Sequence, residues 1–366
     1  MRDKDRLIRV LVVEDSQTAR DLLLAIFASD VNIQVVGTAM DGEEAILRAQ
    51  RLRPDVITMD IHMPKMDGLM ATRRIMHLAP TRIVIVTANT VREDMDLSFE
   101  AIRSGALTVI EKPSLINPES CERVLQTVRL MADVQVVHRW KSTGILKPSL
   151  IVDRLGGSAG TTQPGSITAG VQRRKVVGIA SSTGGPAALA IVLKHLPVDY
   201  PLPILIVQHI TRGFAGGLAE WLNTQTPLRV MVGQQGQQVQ AGTVYLAPDD
   251  HHMQINDNAC LNMVNEPPYK GLRPSANYLL SSLARVFGPQ GAGVILTGMG
   301  DDGVEGMDLL HRAGGLTIAQ DEQTCVVFGM PREAIERRAV DYVMGIERIG
   351  PALLQLAVPA TGNLRK

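Results

Sequence analysis

Along most of this chain, short aliphatic runs that each stop at a polar or glycine-rich turn alternate with stretches of helical periodicity. A run such as Ile204-Leu205-Ile206-Val207, apolar at every position, reads as a strand buried on both faces. Strands of that kind sit in a parallel sheet with helices covering each side. The alternation therefore sets the class as α/β. Composition agrees, because 45% hydrophobic residues with only 3% aromatic ones and 33 glycines suit aliphatic strands joined by tight turns.

The rhythm comes in two blocks, and 366 residues are enough for two domains with a core each. In the first, strands are expected at Ile8–Val13, Ile33–Val36, Val56–Met59, Ile83–Val86 and Leu107–Ile110, with a last helix near Glu119–Met131. That pattern predicts a five-stranded parallel, flavodoxin-like sheet over residues 1–132. The second block, 174–355, predicts a doubly wound, Rossmann-like sheet, with a β-rich insertion around Thr243–Met263 interrupting the alternation. Gly178 opens no dinucleotide fingerprint, since the G-x-G-x-x-G spacing is absent.

Residues 133–173 break the pattern and are expected to be an interdomain linker, and 356–366 a tail. Within the linker, Gly156 to Ser166 is too poor in apolar residues to offset its ordering entropy and reads as a tether. The apolar residues from Val134 to Ile151 fit either a docking segment or an extension of the preceding helix.

Lysine plus arginine and aspartate plus glutamate both number 37, so the chain has no basic field for nucleic acid or anionic lipid, and no basic recognition helix appears. Apolar runs stop short of membrane-spanning length, and the amino terminus lacks the apolar core of a secretory signal. Cys121, Cys260 and Cys325 have neither metal nor disulfide spacing. A cytoplasmic protein without membrane insertion or nucleic-acid partner is expected.

The second block places chemistry at its strand ends. Val176 to Ser181 feeds Ser182-Thr183-Gly184-Gly185-Pro186, a small-residue turn opening a helix, where a hydroxyl lies close to unpaired N–H groups. A second strand ends on His209, and a third, Gly293 to Leu296, runs into the acidic loop Gly298 to Gly303. In a parallel sheet these ends share the carboxyl edge, so the chain supplies serine, histidine and aspartate there, in that order. Hydrolases with a G-x-S-x-G elbow run Ser-acid-His, and chymotrypsin-like and subtilisin-like chains follow other orders again, so all three are excluded. Spacing alone leaves Ser181 beside Ser182 and Asp301 beside Asp302 as alternatives. The pair His251-His252 lacks the companions of a metal site.

The first block ends its strands in Glu14-Asp15, Asp60, Thr87 and Lys112. As neighbours, these ends gather three carboxylates, a hydroxyl and an ammonium. An oxygen-rich crevice of this kind suits Mg²⁺, and Asp60 could attack a phosphoryl group as a carboxylate nucleophile.

Two resemblances add to these readings. Ala180-Ser181-Ser182-Thr183-Gly184-Gly185-Pro186, Val207-Gln208-His209, Leu296 to Gly303 and Cys325 to Pro331 resemble the chemotaxis-type protein-glutamate methylesterases, the CheB family. The first block, including Met59 to Gly68, resembles response-regulator receiver domains across its length. The first likeness implies Ser182 as nucleophile, His209 as base and Asp302 as its orienting acid, with Thr183 and Met299 beside the site. The second implies Asp60 as phosphoacceptor, Glu14, Asp15, Asp60 and the His62 carbonyl around Mg²⁺, Thr87 and Lys112 on the phosphoryl oxygens, and a cis Lys112–Pro113 bond. Glu14 departs from the commoner Asp, and Val109 from the commoner Tyr or Phe.

The function so implied is phosphorylation-activated hydrolysis of glutamate γ-methyl esters on chemoreceptors, with deamidation of receptor glutamines and a histidine kinase as phosphodonor. The esterase reaction itself would need no cofactor. The competing reading is a phosphorylation-dependent binding module without turnover. The likeness further implies that the unphosphorylated receiver obstructs the esterase site.

Overall fold

The computed structural model describes residues 7–87, 100–102, 104–114, 116–132 and 174–357. The expected linker and nearly all of the expected tail lie outside them. The chain divides into two compact units, Met1–Lys141 and Ser142–Lys366.

The first unit contains one parallel sheet of five strands, β1 (Ile8–Val13), β2 (Ile33–Ala39), β3 (Val56–Met59), β4 (Arg82–Thr87) and β5 (Thr108–Glu111), in the order β2-β1-β3-β4-β5. The aliphatic runs fall where the sequence placed them, and Val10 to Val13 of the interior strand β1 are at most 1% exposed. Winding starts at β1, proceeds outward to β2, and returns past β1 to β3. That reversal leaves a crevice over the carboxyl ends of β1 and β3, where open α/β sheets bind their ligands. Glu14, Asp15 and Asp60 follow those two strands directly.

Local chemistry fixes the helix that flanks this crevice. Asp67 caps Gly68–Leu78 by accepting from Met70 N, and Gly68 N donates to Ile61 O at 2.8 Å. A side chain at Gly68 would bring its Cβ 1.9 Å from the Asp60 carbonyl oxygen, so only glycine lets the helix start close on the Asp60 loop.

The second unit holds a parallel sheet of seven strands: β6 (Val176–Ser181), β7 (Ile204–Gln208), β8 (Arg229–Val232), β9 (Thr243–Leu246), β12 (Gly291–Ile295), β13 (Leu316–Gln320) and β14 (Tyr342–Met344). Their order is β14-β13-β12-β6-β7-β9-β8. Here the chain corrects one expectation. The stretch read as a β-rich insertion is divided: β9 belongs to the main sheet, parallel between β7 and β8. Only β10 (His252–Ile255) and β11 (Leu261–Val264) form a separate antiparallel pair. The reason is burial, since Thr243 to Leu246 are buried at every position, as suits a covered parallel strand.

Helices cover this sheet in two packed groups. Gly185–Leu193 meets Ala215–Gln225 and Ile346–Ala357, while Ala276–Phe287 meets Val304–Arg312, which in turn meets Met330–Glu336. The winding reverses between β6 and β12, and the carboxyl ends of β6, β7 and β12 point to the same edge. Ser182, His209 and Asp302 all follow those three strands.

The substitution Gly68→Ala is expected to displace the Asp60 loop and to destabilise the first unit by about 1–3 kcal/mol, the usual cost of overpacking. In urea unfolding the first-unit transition should move to lower denaturant while the second-unit transition stays in place. An unchanged first-unit midpoint would contradict the close approach.

Candidate active site

Sheet register brings the second unit's residues together. Ser181 pairs with Gln208, and Ala180 with Ile295, so Ser182 and His209 each stand one residue beyond matched positions on neighbouring strands. Adjacent strands lie about 4.8 Å apart, which puts the two backbones side by side. His209 N donates to Ser181 O at 3.0 Å, and Ser182 N to Thr297 O at 3.0 Å, tying all three strand ends.

His209 Nε2 lies 2.8 Å from Asp302 Oδ2. With Nε2 engaged, Nδ1 is the ring nitrogen left to exchange a proton. Asp302 is itself held at the start of the helix Ala276–Phe287. It accepts from Ser275 Oγ at 2.5 Å and from Ala276 N at 2.6 Å, with Asn277 N at 3.4 Å. Burial alone would raise this carboxyl, but the bonds from His209, Ser275 and Ala276 hold it below the usual carboxylate range. Asp302 therefore stays an anion although only 2% exposed.

Behind Asp302 lies a layer that the sequence reading missed. Ser275 is fully buried and is the N-cap of Ala276–Phe287. Its backbone N donates to His252 Nδ1 at 3.1 Å. His252 stacks on Tyr278 with ring centroids 3.8 Å apart, and its Nε2 donates to Pro267 O at 3.2 Å. Burial pushes the His252 pKa down, consistent with a neutral ring that accepts at Nδ1. The available signal for Ser275 was its place as a capping serine just ahead of a helical pattern.

The paired alternatives occupy different environments. Ser181 is fully buried and donates to Gln208 Oε1 at 2.7 Å, whereas Ser182 is partly exposed. Asp302 faces the imidazole, and Asp301 instead pairs with Lys270 at 2.7 Å. That partly exposed pair joins the acidic loop to the segment that leads into Ser275. Phe214, Trp221 and Tyr245 pack in the interior, none more than 6% exposed.

Several N–H groups near Ser182 are already engaged: Ser182 N, Gly185 N with Ser182 O, and Gly298 N with Val327 O. Among the described residues, the N–H groups of Thr183 and Met299 have no acceptor. Thr297 Oγ1 donates to Thr183 O at 2.9 Å, which orients that peptide. These two donors are among the N–H groups near Ser182 that carry no acceptor and could stabilise an oxyanion.

In the first unit, ligand atoms of Glu14, Asp15 and Asp60 lie within 4.8 Å of one another. Lys112 Nζ stands 2.9 Å from Glu14 and 2.9 Å from Asp60. Burial raises the carboxyls of Glu14 and Asp60, and the Lys112 ammonium opposes that rise. Glu14 Oε2 is within ion-pair distance of Lys112 yet lacks hydrogen-bond geometry, and Thr87 Oγ1 is buried without a partner. Oxygen donors with unmet capacity around excess negative charge fit a hard divalent cation with a phosphoryl group. His62, which follows Ile61, is exposed at the rim.

Two further features of this crevice were not anticipated. Arg20, 7% exposed, donates to Glu14 O at 2.7 Å and Asp15 O at 3.2 Å, bracing the acidic turn. The Lys112–Pro113 bond is trans, since Arg273–Pro274 is the cis bond among the described residues. Trans is the favoured isomer even before proline, and the bond from Lys112 N to Thr87 O, 2.7 Å, already aims the ammonium at Asp60.

Comparison with known proteins bears on both units. Residues 10–122 match the response regulator receiver domain, and 177–353 match the CheB methylesterase domain. Together they define a response regulator whose output domain is an enzyme. A protein-glutamate methylesterase/protein-glutamine glutaminase of Myxococcus xanthus is 47% identical over 94% of this chain and 96% of its own length. One from Syntrophus aciditrophicus is 41% identical over 96% of this chain and 99% of its own length. The crystal structure of the Thermotoga maritima CheB methylesterase catalytic domain aligns at 38% identity, covering 50% of this chain and 98% of that one, with a TM-score of 0.49. The chain belongs to the family of protein-glutamate methylesterase/protein-glutamine glutaminases.

The depressed carboxyl of Asp302 has a consequence for acid stability. Its folded pKa lies below the unfolded value of about 3.9, so its contribution is complete above that value and is lost as pH falls through the folded pKa. Asp302→Asn lacks this dependence. Urea midpoints of the second unit, followed from about pH 6 to pH 2, should fall more steeply in the wild type than in the variant, closing the gap between them. Parallel curves would show that Asp302 is not held by these bonds.

Proposed function

We propose that the protein hydrolyses γ-methyl esters of glutamate side chains in chemoreceptors, and deamidates receptor glutamines, at Ser182 under control of phosphorylation at Asp60. The observation that carries this reading is the anionic Asp302, locked on a helix start and bonded to His209 at 2.8 Å, one strand away from a partly exposed serine.

Ser182 Oγ attacks the ester carbonyl carbon as His209 Nδ1 takes its proton. The carbonyl oxygen becomes an oxyanion received by the N–H groups of Thr183 and Met299, each such donor typically being worth about 3 kcal/mol. Collapse breaks the C–O bond to the methoxy group, which leaves as methanol with the proton from His209. Water, deprotonated by the same imidazole, then attacks the acyl-serine and frees the glutamate carboxylate. With glutamine the leaving group is ammonia. Asp302 keeps the imidazole in one tautomer and stabilises its cationic form.

In the first unit the Asp60 carboxylate takes the phosphoryl group from a histidine kinase. Lys112 and Thr87 pair with the phosphoryl oxygens. Glu14, Asp15, Asp60 and the His62 carbonyl would hold Mg²⁺, whose charge offsets that of the carboxylates and phosphoryl group. No described helix is long and apolar enough to cross a membrane. That finding and the requirement for a kinase and receptor cytoplasmic domains support a cytoplasmic location.

Ser182→Ala should lower methanol release from methylated receptor by about a thousandfold or more while leaving phosphorylation of Asp60 intact. Retained turnover there, with loss in Ser181→Ala, would move the nucleophile to Ser181. In the receiver, Mg²⁺ with beryllofluoride, standing in for the acyl phosphate, should bind the wild type and raise its methanol-release rate. Asp60→Asn should do neither, and tight binding by that variant would contradict the crevice assignment.

A further inference from the structure

We infer that Gln208 is a positioning residue for this reaction, holding the nucleophile and the base in register through its side-chain amide, an inference that rests on the roles given to Ser182 and His209 above. Gln208 ends β7 and is 6% exposed. Its Nε2 donates to Ser182 O at 2.8 Å and to His209 O at 2.7 Å. Its Oε1 accepts from Ser181 Oγ at 2.7 Å. One planar amide thus joins the backbones of both reacting residues and the serine that precedes the nucleophile.

The orientation of the amide is determined by its neighbours. Turned over, Oε1 would face two carbonyl oxygens, neither of which can donate. In the observed sense both Nε2 hydrogens are used and the Ser181 hydroxyl satisfies Oε1. Ser181, one of the two candidate nucleophiles in the sequence, therefore completes the clamp and does not attack the ester.

The amide also accounts for a glycine. A Cβ at Gly185 would lie 1.9 Å from Gln208 Oε1 and 2.8 Å from Cδ. Gly185 N donates to Ser182 O at 2.8 Å, so the same carbonyl is gripped from both sides. The second glycine of Thr183-Gly184-Gly185 is what makes room for the clamp at the helix start. Among the described residues the Gln208 side chain bonds only to the carbonyls of Ser182 and His209 and to the Ser181 hydroxyl, so it acts through them. Misplacement of a reacting group by about 1 Å can cost a hundredfold in rate.

The test uses the full chain activated with Mg²⁺ and beryllofluoride, comparing wild type, Gln208→Met, Gly185→Ala and the double variant. Three quantities are read: kcat and KM for methanol release, the first-order constant for labelling of Ser182 by a p-nitrophenyl phosphonate, and the urea midpoint of the second unit. Gln208→Met should lower kcat and the labelling constant about tenfold or more with KM within about twofold. Gly185→Ala should do the same, and the double variant should be no worse than the more impaired single one, because one change removes the amide and the other displaces that same amide from its place. Ser182→Ala serves as the control. Wild-type kcat in Gln208→Met beside an inert Ser182→Ala overturns the inference alone. So does a lowered urea midpoint with kcat per labelled site unchanged, which is what a purely structural glutamine would give. Turnover surviving Ser182→Ala overturns the site assignment and the inference with it.

Discussion

The carboxylate of Asp302 is the contact on which the second unit's site depends. A buried anion is costly unless its charge is met by donors, and here a histidine, a capping serine and the first N–H groups of a helix meet it. The helix start contributes its partial positive charge as well. Because that helix begins at Ser275, some way from both Ser182 and Asp302 in sequence, the site exists only when the sheet has closed with β12 beside β6. The order of strands is thus a condition for the chemistry, not a scaffold added to it.

The same constraint shapes the first unit with the opposite electrostatic outcome. There too the winding reverses at a central strand, and carboxylates gather over the reversal. Asp302 is fully met by protein donors, while Glu14 and Asp60 share a single ammonium and Thr87 keeps a buried hydroxyl unmatched. One crevice has its buried anion paired by protein donors; the other keeps oxygen donors with unmet capacity.

Much of this was legible in the sequence because the strands are aliphatic throughout and end abruptly. The five strands of the first sheet, and β6, β7 and β12 of the second, announce themselves that way, and the candidate side chains lie at their ends or in the loops that follow. What was hidden depends on contacts between distant residues. Thr243–Leu246 is only four residues long and precedes a hairpin, so nothing local shows that it pairs with Ile204–Ile206. Arg229–Val232 and Tyr342–Met344 lie at the sheet edges, where partial exposure dilutes the apolar pattern. Within the site, Ser275, His252 and Gln208 act through hydrogen bonds that no spacing rule encodes. The serine and aspartate pairs were left open by spacing and differ in surroundings: Ser181 ends the fully buried β6 while Ser182 is partly exposed, and the helix start holds Asp302 while Asp301 pairs with Lys270.

The central claim, that the three strand ends form one acyl-transfer site, is tested most directly by a crystal structure of the protein after reaction with a p-nitrophenyl phosphonate. The phosphorus should be bonded to Ser182 Oγ, with one phosphoryl oxygen about 2.7–3.1 Å from the N–H groups of Thr183 and Met299. His209 should remain on Asp302 through Nε2 and present Nδ1 to the adduct. Phosphorus on Ser181 or Thr183, or a phosphoryl oxygen turned away from both N–H groups, would contradict the account.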